Sequence, residues 1–263
     1  MTVFFIGAGP GDPDLITVKG RAVIARCPVC IYAGSLVPEA VVGCAPEGAR
    51  VLDSSGMTLV QTHAEIVEAA ARGENVARVH SGDPSLYGAI GEQIRRLRRD
   101  GIGYEIIPGV SAYAAAAAAM GRELTIPELA QSIVLTRVSM QSTAMPEGET
   151  LENFARTGTT LVIHLGIRNM REIERRLVPF YGDDCPVVVA CRVGWPDQVI
   201  LRGTLGDIRS RVRAASITRT ALIFVGPAMG EVQGFVDSAL YDPQKPHVLR
   251  PVAGVDLVED YNT

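Results

Sequence analysis

The sequence predicts an α/β protein built on a parallel sheet, and three observations predict it. Short β-branched apolar runs alternate with helical stretches, most clearly in the first half. The tripeptide Gly-Asp-Pro occurs twice, at Gly11-Asp12-Pro13 and Gly82-Asp83-Pro84, each time shortly after such a run. Apolar residues make up 47% of the 263-residue chain, enough for a large core in one large domain or two smaller ones.

Taken in order, Val3-Phe4-Phe5-Ile6 reads as the opening strand and leads into Gly7-Ala8-Gly9-Pro10. A helix is expected over 17–26, a strand over 29–32 and a short strand at Val51-Leu52. Residues 63–72 form a helical run that stops at Gly73, a natural residue beyond a helix end. A strand over 76–80 then leads into the second Gly-Asp-Pro. Ile90, Ile94 and Leu97 share one helical face, 104–107 is a strand, and an alanine-rich helix spans 111–120. Glycine allows tight turns at the strand ends, while Asp and then Pro suit the N-cap and first position of a helix. In open parallel sheets ligands bind at this edge.

A break over 121–128, with a turn at Ile126-Pro127, marks the expected boundary between an N-terminal α/β domain, 1–123, and a C-terminal α/β domain, 124–240. In the second part strands are expected over 132–136, 159–165, 186–191, 198–202 and 221–225. Helices are expected over 169–179 and 207–214, and 137–149 reads as a polar loop. The segment 241–263 has no clear period and is expected to be an irregular tail.

Composition and motifs exclude several chemistries. A formal net charge of −4 gives no footprint for nucleic acid, and no apolar run is long enough to span a membrane. The N-terminus lacks the basic segment of a signal peptide, so a cytoplasmic location is expected. Five cysteines, an odd count, argue against a disulfide framework; Cys27-Pro28-Val29-Cys30 has redox-motif spacing but leads into a strand. His63, His80, His164 and His247 are scattered and show no metal-ligand spacing, so no metal is expected. Gly7-Ala8-Gly9-Pro10-Gly11 invites a dinucleotide reading. The second strand, however, ends in Tyr32-Ala33-Gly34-Ser35 rather than an acid, and Pro10 removes an N–H that a phosphate would use. What remains is a cleft that positions ligands by its loops, which suits group transfer from an activated donor.

Three spaced motifs carry a family resemblance. Phe5-Ile6-Gly7-Ala8-Gly9-Pro10-Gly11-Asp12-Pro13, Ser81-Gly82-Asp83-Pro84-Ser85-Leu86-Tyr87-Gly88 and Ile107-Pro108-Gly109-Val110-Ser111-Ala112 resemble the signatures of the tetrapyrrole (class III) methyltransferases. Pro186 with the strand after it, Arg202-Gly203-Thr204-Leu205 and Ala221-Leu222-Ile223-Phe224-Val225-Gly226 extend the resemblance over roughly 2–230. Tyr32-Ala33-Gly34-Ser35-Leu36-Val37 and Met145-Pro146-Glu147-Gly148-Glu149 are similar to the branch acting at C-11 of a corrin precursor.

The resemblance implies the tetrapyrrole methylase fold, with S-adenosyl-L-methionine in a cleft between two α/β domains, a tetrapyrrole substrate and a homodimer. Carried over by position, it places cofactor contacts at Pro10, Gly82, Asp83, Tyr87, Ser111, Ala112, Leu165, Val188, Thr220 and Ala221. Substrate contacts are expected at Gly9, Asp12, Tyr32, Ser35 and Arg137, the last because the substrate class carries many carboxylates. Asp12, Asp83 and Ser111 could instead serve only as helix caps. No general base is named by the sequence. Action at another ring carbon of a corrinoid or uroporphyrinogen, and a non-catalytic nucleotide binder, are the alternatives.

Overall fold

The computed structural model describes residues 1–138, 143–231 and 238. The polar loop is thus described only in part, and the tail expected over 241–263 lies outside the described residues.

Five strands form the first sheet: β1 (Thr2–Gly7), β2 (Val29–Tyr32), β3 (Arg50–Asp53), β4 (Val76–His80) and β5 (Gly103–Ile107). Their order is β3-β2-β4-β1-β5 and every pairing is parallel. Alternate side chains face opposite ways, so the sheet needs cover on both faces. Phe4, Ile6, Cys30 and Val79 pack beneath α1 (Val18–Ile24) and α2 (Glu39–Val42). Val3, Phe5, Ile31 and Val76 pack against α3 (Leu59–Ala71) and α4 (Ile90–Arg99). Helix α3 starts earlier than residue 63, because Thr58 and Gln61 close a reciprocal capping box on its first turn.

The second sheet is mixed. It contains β6 (Ile133–Arg137), β7 (Thr160–His164), β8 (Pro186–Cys191), β9 (Val199–Thr204) and β10 (Ala221–Val225), in the order β6-β7-β10-β8-β9. Only β6 and β7 run parallel; β10 inserts antiparallel between β7 and β8. One face carries Leu161, Ile163, Val187 and Ile223 against α6 (Leu151–Ala155), α7 (Met170–Tyr181) and α8 (Ile208–Ala214). The other face, with Val162, Val188 and Phe224, receives Ala116 and Met120 of α5 (Ala112–Met120). The alanine run thus has a packing reason: small side chains let α5 lie close to the second sheet. Its left-handed end is Gly121.

All five cysteines are free. Cys27 and Cys30 are buried in the same apolar cluster, and desolvation pushes their thiols up to about 11 and about 12. Burial thus works against the thiolate form that a redox spacing would need.

Candidate active site

Gly7 and His80 are register partners at the C-terminal ends of β1 and β4, so the two Gly-Asp-Pro loops leave the sheet side by side. Gly9 N–H donates to the Gly82 carbonyl (3.3 Å) and Gly82 N–H to that of Gly9 (2.7 Å). The loop after β5 closes on both. A Cβ on Gly109 would lie 2.3 Å from the Gly82 oxygen and 2.6 Å from Gly7 Cα, so only glycine permits this approach.

Asp83 ties the second loop to the third. One carboxylate oxygen accepts from the Ser85 N–H (2.8 Å) and the Ser85 hydroxyl, and the other from the Gly109 N–H (2.8 Å). Desolvation pushes this carboxyl up, but the Ser85 and Gly109 hydrogen bonds outweigh it and hold the pKa below the ordinary aspartate value. Asp53, at the end of β3, repeats the device. It accepts from the N–H groups of Ser55 (2.8 Å) and Gly34 (2.9 Å) and from the Ser55 hydroxyl (2.8 Å). These bonds lower its pKa as well. Asp53 thereby fixes the turn after β2, and sequence reasoning missed it, although an Asp-x-Ser turn was there to be read.

Between this edge and the second sheet lies a cavity of about 840 Å³, within the size range of cofactor sites. Pro10, Leu36, Ser81 and Ala112 line it from one side, and His164, Leu165, Ala190, Thr220 and Ala221 from the other. Leu165, Arg192 and Thr220 on its wall, with Tyr87 beside it, have φ of +55°, +48°, +53° and +54°. Non-glycine residues adopt this region at a cost, and such strain concentrates at ligand sites. The Tyr87 ring, carried by the first half, lies 5.0 Å from the His164 ring, carried by the second. His164 Nε2 is enclosed with no hydrogen-bond partner, and burial lowers the ring's pKa to about 4, so the imidazole is neutral at pH 7.

Of the expected cofactor residues, Pro10, Ala112, Leu165, Thr220 and Ala221 line the cavity. Gly82, Asp83 and Ser111 stand next to the lining residues Ser81 and Ala112 and form their frame. The Ser111 side chain makes no capping bond to α5. Val188, 1% exposed, is enclosed in the core, and Ala190, two residues along the same strand face, lines the cavity.

The expected substrate residues lie further out. Gly9 is paired with Gly82, Asp12 accepts from the Asp14 N–H (2.9 Å), and Tyr32 is buried in the core of the first sheet. Ser35 lies on the turn that Asp53 holds, beside the lining residue Leu36. Arg137 donates to the Thr143 carbonyl (2.7 Å) and more weakly to that of Ala144 (3.4 Å).

Trp195 joins the halves behind two residues of the cavity lining, Pro10 and Arg192. Its indole N–H donates to the Pro10 carbonyl (3.2 Å), and a Cβ on Gly11 would lie 2.3 Å from its ring. The Arg192 guanidinium stands 4.1 Å over that ring and pairs with Asp197 (2.6 Å). Arg168, Asn169, Arg192 and Arg219 also line the cavity, and sequence reasoning did not single them out. The available signal was positional: Arg192 directly follows the last residue of β8.

The profile of the Tetrapyrrole (Corrin/Porphyrin) Methylases matches residues 2–209. A Sinorhizobium protein named precorrin-4 C(11)-methyltransferase is 55% identical over 92% of this chain and 96% of its own length. The X-ray structure of a cobalt precorrin-4 methyltransferase, CbiF, superposes with a TM-score of 0.84 at 39% identity, covering 88% of this chain and 96% of that one. A uroporphyrin-III C-methyltransferase from Thermus thermophilus, solved with S-adenosyl homocysteine, superposes with a TM-score of 0.73 at 25% identity, covering 90% and 98%.

Proposed function

The chain belongs to the tetrapyrrole methylase family, and from that premise we propose that it transfers a methyl group from S-adenosyl-L-methionine to C-11 of precorrin-4, giving precorrin-5 in cobalamin biosynthesis. The observation that carries this reading is the 55% identity to a protein of that name along nearly the whole chain. The cavity between the sheet edges supplies the physical means.

The residues present fit the donor. The cavity is large enough, close glycine packing among the loops after β1, β4 and β5 sets its frame, and the orphaned His164 nitrogen offers a neutral partner that does not repel a cation. When bound, the sulfonium supplies an already activated methyl group. Pro10, Ala112, Leu165, Thr220 and Ala221 hold the donor, within the frame set by Gly82, Asp83 and Ser111. That frame would orient the donor's methyl group toward the substrate, and orientation of this kind supplies much of the barrier reduction. Leu36, Leu165 and Leu222 give the cavity an apolar wall, which would keep water from a bound donor. Tyr87, Gly9, Asp12, Tyr32, Ser35 and Arg137 belong to the same reading as flanking contacts, while Ala190 takes the place of the enclosed Val188. So do the division at 123/124, a homodimer and a cytoplasmic location. Among the described residues no helix is long and apolar enough to cross a membrane.

Incubation with precorrin-4 and carbon-13-methyl donor, read by mass and carbon NMR, is expected to label C-11. A label on another carbon overturns the regiochemistry, and no transfer overturns the reading. The CbiF likeness favours testing a cobalt-bearing substrate in parallel; faster transfer to it would replace the metal-free assignment.

A further inference from the structure

The cavity is electrostatically one-sided. Among the described residues that line it, Arg168, Arg192 and Arg219 are cationic and none is acidic. All three come from the second-sheet half, whereas the first half contributes Pro10, Leu36, Ser81 and Ala112, without charge. The topology explains how they meet. Arg168 lies in the turn after β7, Arg192 follows β8, and Arg219 precedes β10, which runs antiparallel between those two strands. Three loops distant in sequence thus open at one sheet end.

Two of these side chains are held in advance. Arg168 Nε donates to the Thr218 carbonyl (3.1 Å). Arg192 is pinned between the Trp195 ring and Asp197, on a strained backbone. Asp197 offsets one charge, so the wall keeps a cationic surplus. A guanidinium presents paired donors that match a carboxylate, and fixing it beforehand reduces the entropy lost on binding.

We propose that Arg168, Arg192 and Arg219 form a carboxylate-binding wall, which turns the acid groups of the cavity's ligand toward the second sheet. Two carboxylate bearers fit, the amino-acid end of the donor and the acid side chains of a tetrapyrrole; naming these two rests on the methyltransferase reading.

Calorimetry on the full chain separates them. One arm compares S-adenosylhomocysteine with its decarboxylated form, the other an octacarboxylate porphyrin with its octamethyl ester. Arg168→Gln and Arg219→Gln are the variants, since Arg192 also holds Trp195. Each is expected to weaken the acid ligand of at least one arm about tenfold and its uncharged counterpart less than about twofold. The responding arm identifies the carboxylate bearer. Arg213→Gln, an exposed residue of α8 outside the cavity lining, controls for general loss of charge and is expected to change neither arm. Equal weakening of acid and uncharged ligands, or no weakening in either arm, overturns the wall. If the unaltered protein fails to bind S-adenosylhomocysteine, the methyl-donor reading falls while the porphyrin arm still judges the wall. Binding of neither acid overturns both.

Discussion

Gly11-Asp12-Pro13 and Gly82-Asp83-Pro84 leave neighbouring strands and share every residue, yet their aspartates do different work. Asp12 accepts from Asp14 two residues on and caps a single 3-10 turn, so its bonding is local. Asp83 spends one oxygen on the equivalent local bond to Ser85 and the other on Gly109, in a loop after a different strand. The glycines differ likewise: Gly11 backs onto a side chain from the second half, Trp195, while Gly82 is enclosed by the backbone of the first sheet's own loops. A tripeptide dictates its turn; the tertiary partner decides what the turn is for.

This contrast can be broken at its strongest point first. Gly109→Ala forces a Cβ against backbone on two sides. It is expected to cost about 3 kcal/mol or more and to lower the thermal midpoint by about 10 °C, measured by calorimetry. Asp83→Ala is expected to cost about 1–3 kcal/mol, because it strands a partly buried Gly109 N–H, with chemical denaturation as the measure. Asp83→Asn keeps an acceptor and should recover part of that loss.

The pH response sharpens the same point. Asp83 has a folded pKa depressed below its unfolded value near ~3.9, so its contribution is present above that value and lost as pH falls through the folded pKa. The difference in urea midpoint between wild type and Asp83→Asn is therefore expected to shrink below about pH 4. A difference that stays constant down to pH 2.5 would sink this account. Last, Asp12→Ala is expected to cost only about 0.5–1 kcal/mol, the loss of one cap. If it costs as much as Asp83→Ala, the two turns are equivalent and the distinction fails.

The legible and the hidden parts of the molecule divide on the same principle. Apolar runs and their glycine-rich exits marked the strands of the first sheet, because strand, crossover helix and loop follow one another locally. The capping box of Thr58 and Gln61 was also written in the chain, and overlooking it placed the start of α3 too late. The insertion of β10 between β7 and β8 left no local mark, since an apolar run reads the same whichever way its neighbours point. Ala190 lines the cavity where Val188 was expected, a shift of one strand period that only pairing resolves. Arg168, Arg192 and Arg219 escaped for a related reason. Each is one charged residue in an unremarkable loop, and only the sheet order brings them to one wall.

Trp195 has a consequence of an optical kind. It is the chain's single tryptophan, and its indole is hydrogen-bonded to the Pro10 carbonyl and stacked on Arg192 at the edge of the cavity. Tryptophan emission shifts with the polarity and charge around the ring, and here one ring lies where the loops of both halves meet. The protein therefore carries its own fluorophore against two residues of the cavity lining, Pro10 and Arg192, and ligand binding is expected to shift its emission without a label.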